Sequence, residues 1–369
     1  MNNNFRRLEG KGSKNKIIII HKINTTVVTT LSVNGIKMLM AALVMLSSLI
    51  ANGVYAQQTF DGWIKNNSLA VSPDENIAVA SYSDSTCIKI YDLKSGELIK
   101  NLLGFVNPRN ILFSPDGKWI YITDSGLGEL LIFNAGTFEI KMTYPVGYGA
   151  FGTAITNNGN LIFINNEAAS TVTVIDLVAE KVRAVITGFA QPRQGVKLNA
   201  ENSKLYVTNF ANNKIVIVDV KTLRIDESVS GFNAIRAISI EKNGSMLYAA
   251  NSGTNSIYKV DLRSNRITDS VKVGRDPYGA ALSPDEKILL SGNKADNTLS
   301  IVDIKSFKVT GTINGFNEPR QAIVFSKDGE HVYVLNADLS VNAVDLAEKK
   351  IVKKTSFERG LHNNLNKPL

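Results

Sequence analysis

One aspartate recurs at an almost constant interval along most of this 369-residue chain, with an asparagine in the second place of the series. The successive spacings are 42, 42, 43, 42, 42 and 42 residues. The seven members are Asp92, Asn134, Asp176, Asp219, Asp261, Asp303 and Asp345. A period of this length, repeated this often, is typical of proteins in which small sheets stand side by side in a ring.

Each repeat contains four short apolar runs separated by turn residues. In the second repeat these runs are residues 111–113, 119–123, 130–133 and 140–144. Runs of this length, rich in Val, Ile, Tyr and Phe and bounded by Gly, Pro, Asn and Asp, indicate strands. Four strands in about 42 residues leave only short connections, so each repeat must be an up-and-down antiparallel sheet. The chain is therefore predicted to be all-β, a seven-bladed β-propeller with four antiparallel strands per blade.

The periodic aspartates are interpreted as turn formers. They precede turn sequences such as Leu93-Lys94-Ser95-Gly96, and a short acceptor side chain there can accept hydrogen bonds from backbone N–H groups two or three residues later. The connection between the first and second strands also recurs, as Ser-Pro-Asp-Gly at residues 114–117. Metal binding by the aspartates is the alternative, and nothing else in the repeat favours it.

Residues 205–209 read Leu-Tyr-Val-Thr-Asn and are followed by Ile-Val-Ile-Val-Asp at residues 215–219. Weaker copies occupy residues 162–166, 247–251 and 332–336. The chain thus resembles the Tyr-Val-Thr-Asn (YVTN) β-propeller repeat family over residues 68 to about 357, and YncE-like exported bacterial proteins are the most similar type. The resemblance implies a propeller fold and an exported protein. Since some relatives are linked to nucleic-acid or cell-surface binding, it implies little about the ligand.

The N-terminal segment has the pattern of a signal peptide. Residues 38–51 are apolar, seven Lys and Arg residues precede them, and Val54-Tyr55-Ala56 offers small side chains for cleavage before Gln57. We therefore predict a signal peptide at 1–56, a propeller at 57–357 and a polar tail at 358–369, with export to the periplasm or the cell exterior. An uncleaved membrane anchor is the alternative, but the apolar stretch is short for a membrane span.

Removal of this leader changes the charge of the protein. The chain has 41 Lys and Arg against 33 Asp and Glu, and the leader holds seven of the former and one of the latter. The remaining 34 basic and 32 acidic residues give a net charge of only +2, compared with +8 for the whole chain. Net basicity is therefore no argument for nucleic-acid binding.

A recurring loop precedes the innermost strand of several blades. It reads Gly-Phe-x-x-Pro-Arg or a close variant and places Arg at four equivalent positions, with an aromatic residue at two others. These candidate ligand-binding residues are Arg109, Phe151, Arg193, Arg236, Tyr278 and Arg320. Since the innermost strands line the channel of a propeller, the four arginines should form a partial ring at one mouth of it. Converging guanidinium groups suit a carboxylate or a phosphate, and the aromatic rings could stack on a ligand.

A purely structural role for this set is equally open. Each Arg could pair with an acid of a neighbouring blade, because a residue that recurs in a repeat protein often serves the repeat itself. The phenylalanines of the same loops, at positions 105, 189, 232 and 316, are expected to pack between blades. Four like charges without anions would repel, so an anionic partner is expected either within the protein or as a ligand.

The sequence offers little for catalysis. After the leader it has two histidines, His331 and His362, and the chain has a single cysteine, Cys87, expected to be buried. No catalytic residue, metal site or cofactor is predicted, because no nucleophile motif or metal-ligand spacing is found. We expect an exported, monomeric, non-enzymatic binding or scaffold protein that recognises an anionic ligand or an acidic segment of a protein partner, with no membrane span after cleavage. The alternatives are a propeller enzyme of the lactonase or lyase type and a single-stranded nucleic-acid binder.

Overall fold

A computed structural model describes residues 66–82 and 85–355, and this part of the chain forms a seven-bladed β-propeller. It contains 28 strands, β1–β28, in seven four-stranded sheets, together with one short 3-10 turn at Ser252–Thr254. Within each sheet the strands are adjacent in chain order and antiparallel, which confirms the predicted fold. The predicted leader, residues 57–65 and the polar tail lie outside the described residues.

The first strand of each blade lies next to the propeller axis. These strands are β1 (Asn67–Val71), β5 (Pro108–Phe113), β9 (Ala150–Ile155), β13 (Pro192–Leu198), β17 (Ile235–Ile240), β21 (Ala281–Leu282) and β25 (Ile323–Phe325). In blades 2 to 5 a β-bulge interrupts the pairing of this strand near its start. The bulge of blade 4 holds one residue more than those of blades 2, 3 and 5, since Pro192 pairs with Asn209 and Val196 with Val207. That extra residue accounts for the single spacing of 43.

The second and third strands carry the core, because both of their faces are covered by neighbouring blades. The second strands are β2 (Ile77–Tyr82), β6 (Trp119–Asp124), β10 (Leu161–Asn166), β14 (Lys204–Asn209), β18 (Met246–Asn251), β22 (Ile288–Asn293) and β26 (His331–Leu335). The third are β3 (Ile88–Asp92), β7 (Glu129–Asn134), β11 (Thr171–Asp176), β15 (Lys214–Asp219), β19 (Ser256–Asp261), β23 (Thr298–Asp303) and β27 (Val341–Asp345). Their near-continuous apolar character follows from this two-sided burial.

The fourth strand of each blade is the exposed outer edge. These strands are β4 (Leu98–Leu102), β8 (Ile140–Pro145), β12 (Lys181–Ile186), β16 (Arg224–Val229), β20 (Arg266–Lys272), β24 (Lys308–Asn314) and β28 (Lys350–Lys354). Five of the six residues of β16 are exposed, and charged side chains are frequent along these edges. Charged edge strands oppose pairing with other chains.

The periodic aspartates stabilise turns, as the sequence predicts. The Oδ1 atom of Asp219 accepts a hydrogen bond of 2.8 Å from the backbone N–H of Thr222, and Asp261 accepts one of 2.7 Å from Ser264. Asn134 does the same for Gly136 and Thr137 at 2.9 Å, so the amide replaces the carboxylate without loss of geometry. Backbone N–H donors lower the pKa of Asp219 and Asp261, because they stabilise the charged carboxylate.

The loop phenylalanines pack between blades, which confirms that prediction. Phe105, Phe189, Phe232 and Phe316 are each less than 9% exposed. Phe189, for example, belongs to a buried cluster that joins Phe163 and Val174 of blade 3 to Val207 and Val218 of blade 4. Cys87 differs from expectation: it lies one residue before β3 and is only partly buried.

Blade 7 meets blade 1 through side chains. The backbone carbonyl of Leu335 accepts a hydrogen bond of 3.4 Å from Asn67, and that of Leu339 accepts one of 3.2 Å from the Tyr91 hydroxyl. A buried apolar cluster also spans the two blades. Within the described residues, all four strands of blade 1 come from the beginning of the propeller and all four of blade 7 from its end. We call this interface the seam.

No helix in residues 66–82 or 85–355 is long and apolar enough to cross a membrane.

Candidate functional site

The residue that ends the second strand, or directly follows it, holds the loop that carries the candidate arginine in blades 2, 5 and 7. In blade 2 the carboxylate of Asp124 accepts hydrogen bonds from the backbone of Val106 at 2.7 Å and Asn107 at 3.0 Å. In blade 5 Asn251 accepts one of 2.7 Å from Asn233. In these blades the residue at the final Asn position of the Tyr-Val-Thr-Asn pattern fixes the entry of the innermost strand at the face we call the mouth, whereas no hydrogen-bond partner is found for the Asn209 side chain among the described residues.

A strained residue precedes the innermost strand in four blades and is held by the preceding blade. Gln191, Ala234, Asp276 and Glu318 have left-handed backbone conformations, with φ between 46° and 53°. The backbone N–H of Ala234 donates to Asn213 Oδ1 at 2.7 Å, and that of Glu318 donates to Asn297 Oδ1 at 2.8 Å. Left-handed backbone costs a non-glycine residue roughly 1 kcal/mol, so these two inter-blade bonds keep the loops that carry Arg236 and Arg320 in one conformation.

Two of the four arginines are buried. Arg109 is 1% exposed and Arg320 is 2% exposed. The Nε–H of Arg109 donates to Ser125 Oγ at 2.7 Å, and its guanidinium lies over the Phe151 ring at 5.0 Å from the centroid. The Nη2 of Arg320 lies 3.6 Å from a carboxylate oxygen of Glu318. Both side chains therefore have partners inside the protein, as in the structural alternative that the sequence left open for this set.

Arg193 pairs with an acid of the neighbouring blade. Its Nε lies 3.2 Å from Glu167 Oε1, and Glu167 is buried in the hairpin between β10 and β11 of blade 3. Burial lowers the pKa of Arg193, the Glu167 carboxylate raises it, and the positive charge of Arg236 lowers it. The side chain of Arg193 remains 19% exposed. Arg193 therefore pairs with an acid of a neighbouring blade, as a structural role requires, and is also a cation that contacts solvent.

Arg236 has no carboxylate partner among the described residues. Its Nε–H donates to Ser252 Oγ at 3.0 Å, and Ser252 passes a hydrogen bond of 3.0 Å to the carbonyl of Ala234. The side chain is partly exposed. No acidic residue in the described part of the chain therefore neutralises its positive charge. Arg236 also lies close enough to Arg193 for its charge to lower the pKa of Arg193.

The arginines and aromatic rings alternate around the mouth. The guanidinium of Arg193 lies 3.6 Å from the centroid of Phe210, and Arg236 lies 4.8 Å from that centroid and 4.4 Å from that of Tyr278. Arg320 lies 5.1 Å from the Tyr278 centroid and 5.8 Å from that of Tyr82. The interleaving of Arg with aromatic rings is as predicted. Phe210 and Tyr82 were missed, because they belong to second-strand ends and hairpins rather than to the recurring loop.

A small cavity at the mouth is lined by four of the six predicted site residues, namely Phe151, Arg193, Arg236 and Tyr278. It has a volume of about 30 Å³. Its walls are formed by Asn66, Phe151, Arg193, Gln194, Ile235, Arg236, Ala237, Tyr278 and Gln321. Among the described residues Arg109 and Arg320 do not line it. The mouth therefore presents two guanidinium groups between two aromatic rings.

A layer of amide side chains closes the channel beneath this cavity. Asn66 donates to Gln194 Oε1 at 3.1 Å, and Gln194 donates to Asn110 Oδ1 at 2.5 Å. Gln321 donates to Asn66 Oδ1 and also, at 2.6 Å, to the carbonyl of Asn67. In three blades the amide directly follows the candidate arginine, whereas Arg236 is followed by Ala237. A larger cavity of about 200 Å³ lies in the channel below this layer, and Lys197 is one of its lining residues.

One further cluster of potential metal ligands lies away from the mouth. Among the described residues, Asp328, Glu330 and His331 are close enough to share an ion. They lie in and beside the turn between β25 and β26, on the opposite face from the mouth. Asp328 Oδ1 already accepts hydrogen bonds from Ser326 at 2.5 Å and from Glu330 at 2.9 Å, so the carboxylate has a structural role in that turn.

Comparison with known proteins supports the fold and identifies a family. Among solved structures, hydrazine synthase from Kuenenia stuttgartiensis is similar, with a TM-score of 0.69 and 14% identity, over 76% of this chain and 95% of that chain. At this identity the likeness shows the fold alone. No curated protein matches. The family model described as "Lactonase, 7-bladed beta-propeller" matches residues 64–324, which is more than half of the chain. The chain therefore belongs to this family of seven-bladed lactonase-type propellers.

Proposed function

We propose that this protein is an exported binding protein whose mouth receives an anionic group, either of a small ligand or of an acidic segment of a protein partner. The observation that carries the proposal is Arg236, a partly exposed guanidinium that has no carboxylate partner among the described residues and shares a cavity with Arg193. Planar guanidinium groups bind carboxylates and phosphates through pairs of hydrogen bonds. The leader pattern supports export.

The dimensions of the cavity limit what can enter it. A volume of about 30 Å³ holds two or three water molecules at roughly 10–15 Å³ each, so only a group the size of a carboxylate fits. The rest of the ligand would lie on the mouth face. Phe151 and Tyr278 reduce the contact of the ion pair with water, which strengthens it. Because Arg236 and Arg193 repel each other, an anion between them relieves a cost that the unliganded protein carries.

Binding measurements on matched charge variants test this proposal. A thermal-shift screen of the protein with citrate, nucleotides, acidic sugars, poly-aspartate peptide and single-stranded oligonucleotides would identify a probe, since a ligand of the folded state raises its melting temperature. We expect Arg236→Gln to weaken the best probe by roughly tenfold or more, because a charge-assisted hydrogen bond is lost.

Arg263→Gln is the matched control for that variant. Arg263 belongs to the same blade but lies exposed in the turn after Asp261, on the opposite face. This variant removes the same charge, so it should leave the probe's affinity within about twofold, as expected for a screened surface charge. Equal weakening in both variants would show that only net charge matters and would remove the mouth assignment.

Lactone hydrolysis is the second candidate, and the family match is the observation that favours it. The mouth could hold a lactone that carries an acidic group, but its described lining contains no Asp, Glu or His to activate water. Glu167 is close by but is buried and paired with Arg193. Hydrolysis of a panel of acidic and neutral lactones, followed by proton release, tests this candidate. Turnover that is lost in Arg236→Gln and retained in Arg263→Gln would favour it over binding alone.

The finer resemblance to the YVTN repeat supports the same proposal. Asn251 and Asn336, which end two copies of the pattern, hold the mouth loops through hydrogen bonds of 2.7 and 2.9 Å. We infer that these two copies help to position the mouth, and that the protein is similar in its use of that face to exported propellers of this type. Asn251→Ala should then weaken probe binding, although Asn251 itself does not line the cavity.

A further inference from the structure

Among the residues that the structure describes, one charged side chain lines the interior of the channel. The cavity of about 200 Å³ is lined by residues from the innermost strands or strand entries of all seven blades, so it occupies the propeller axis. Its described lining contains one titratable group, Lys197 on β13, together with hydroxyl and amide side chains. Sequence analysis missed Lys197, because it appears there as one lysine within a strand.

The lysine is not part of the repeat pattern. Lys197 pairs with Tyr206 on the second strand of its blade. The residues in the same register in the other six blades, each paired with the residue equivalent to Tyr206, are Ala70, Leu112, Ala154, Ser239, Ala281 and Val324. All six are uncharged and four are small. The propeller therefore does not need a cation at this level, and the small neighbours leave space around the one it has.

The surroundings of Lys197 do not neutralise its charge. Its side chain is exposed to the cavity, yet protein surrounds that cavity on the sides formed by the seven blades. Among residues 66–82 and 85–355, none forms an ion pair with it, and the cavity lining includes no Asp or Glu. Burial among the seven blades lowers the pKa of Lys197, because it disfavours the charged ammonium.

A second unmet polar group lines the same cavity. Asn67 is 1% exposed, and no hydrogen-bond partner for its Oδ1 is found among the described residues. Buried polar atoms without a partner are uncommon and are often satisfied by water or a ligand. The cavity thus combines an unneutralised cation, which suits an anion, with an unsatisfied acceptor, which needs a donor such as a water molecule that accompanies the anion.

We propose that Lys197 anchors a second binding site, inside the channel, for a small organic carboxylate. An engineered cavity of roughly 150 Å³ holds a molecule the size of benzene, so a cavity of about 200 Å³ has space for a carboxylate of similar or slightly larger size. Thr153 supplies a hydroxyl group at its wall, whereas the hydroxyls of Ser68 and Ser239 already donate to Asn110 Oδ1 and to the carbonyl of Ala280. The site is separate from the mouth, because the amide layer lies between them.

The channel site is reached from the face opposite the mouth. A groove of about 480 Å³ on that face is lined by Pro73, Pro115 and their neighbours, and it shares Leu69, Ile111, Leu112 and Val324 with the channel cavity. A small ligand can therefore enter between blades 1, 2 and 7 without crossing the amide layer. The channel site and the mouth can be occupied independently.

Calorimetric titration with propionate, benzoate and succinate tests the proposal. We expect at least one of the three to bind the purified protein, and Lys197→Met to weaken that binding by roughly tenfold or more, because a charge-assisted contact is lost. Methionine has a similar length and removes an unneutralised charge, so the variant should fold, which its melting temperature would show. Lys221→Met, which removes an exposed lysine of the same blade, is the matched control and should bind the carboxylate as the wild type does. Arg236→Gln is measured beside it, to show whether the probe binds at the mouth instead.

The pH dependence provides an independent measurement on the wild-type protein. A carboxylate favours the charged ammonium, so binding should take up a proton and raise the pKa of Lys197. Affinity should then decrease as the pH rises above neutrality, because the amine of the free protein loses its proton at a lower pH than an ordinary lysine does. Absence of binding by all three probes, equal affinity in Lys197→Met, or a loss that occurs only in Arg236→Gln would each overturn the channel site, and the last result would still support the mouth.

Discussion

Two pairs of arginines occupy equivalent positions of the same repeat and differ in what covers them. Arg109 and Arg320 are almost fully buried, whereas Arg193 and Arg236 contact solvent and line the mouth cavity. Arg109 and Arg236 even share a motif, since each donates its Nε–H to a serine sixteen residues later. The repeat therefore determines the backbone position of each arginine. The residues of the neighbouring blades determine whether its side chain is buried or accessible to a ligand.

Replacing Arg109 and Arg236 by methionine should give the largest difference in stability between the buried and the accessible pair. Arg109→Met leaves Ser125 and the Phe151 ring without their buried partner, so we expect the free energy of unfolding to decrease by roughly 3 kcal/mol. Arg236→Met should change it by less than about 1 kcal/mol, because water can replace the lost contacts. Urea denaturation of the two variants measures the difference. Equal losses would mean that exposure does not separate the two pairs.

Replacing the serine partners of Arg109 and Arg236 tests the same difference in stability with a smaller expected effect. Ser125 is 2% exposed, so Ser125→Ala leaves a buried donor of Arg109 without its acceptor and should cost about 1–3 kcal/mol. Ser252 is partly exposed, and Ser252→Ala should cost less than about 0.5 kcal/mol. Thermal melting of both variants compares them directly. A larger loss in Ser252→Ala than in Ser125→Ala would contradict the assignment of the buried pair to structure.

Tyr278 contacts one arginine of each pair, and its substitution should give the smallest of the expected effects. Its ring lies 4.4 Å from the Arg236 guanidinium and 5.1 Å from that of Arg320. A partly exposed cation–π contact is worth about 0.5–1 kcal/mol, so Tyr278→Leu should weaken an anionic probe at the mouth by roughly two- to fivefold. Tyr278→Phe keeps the ring and should retain the affinity. If both variants lose it, the hydroxyl rather than the ring supports the site.

The fold could be predicted from the sequence because it depends on a property that each repeat carries locally. Turn residues such as Asp219 and the apolar runs around them recur with the blade, and each blade needs only its neighbours to bury its faces. The four arginines could be assigned to equivalent positions of the repeat, and their role as a ligand site stays a prediction. Their division into a buried and an accessible pair could not be seen, because the rings of Phe210 and Tyr82 and the amide of Asn66 reach them from outside the recurring loop.

Lys197 shows a different limit of sequence reasoning. A signal for it exists, since the other six repeats have Ala, Leu, Ser or Val in that register. The register could not be read without the structure, because the bulge of blade 4 is one residue longer and shifts the apparent alignment. The spacing of 43 marks that blade as unusual, but spacing alone does not say which residue the change moves into the channel.

The seam between blades 7 and 1 has a consequence for how the ring opens. Every other pair of neighbouring blades is linked by a short loop, whereas the two sides of the seam are joined through the entire described propeller. The effective concentration of one side for the other is therefore lower at this interface than elsewhere, since closing a longer loop costs more entropy. Breaking the contacts of Asn67 and Tyr91 with blade 7 would give an open arc in which all seven sheets keep their backbone hydrogen bonds. Seam side chains should then become reactive to solvent reagents while the strand amides remain protected from hydrogen exchange.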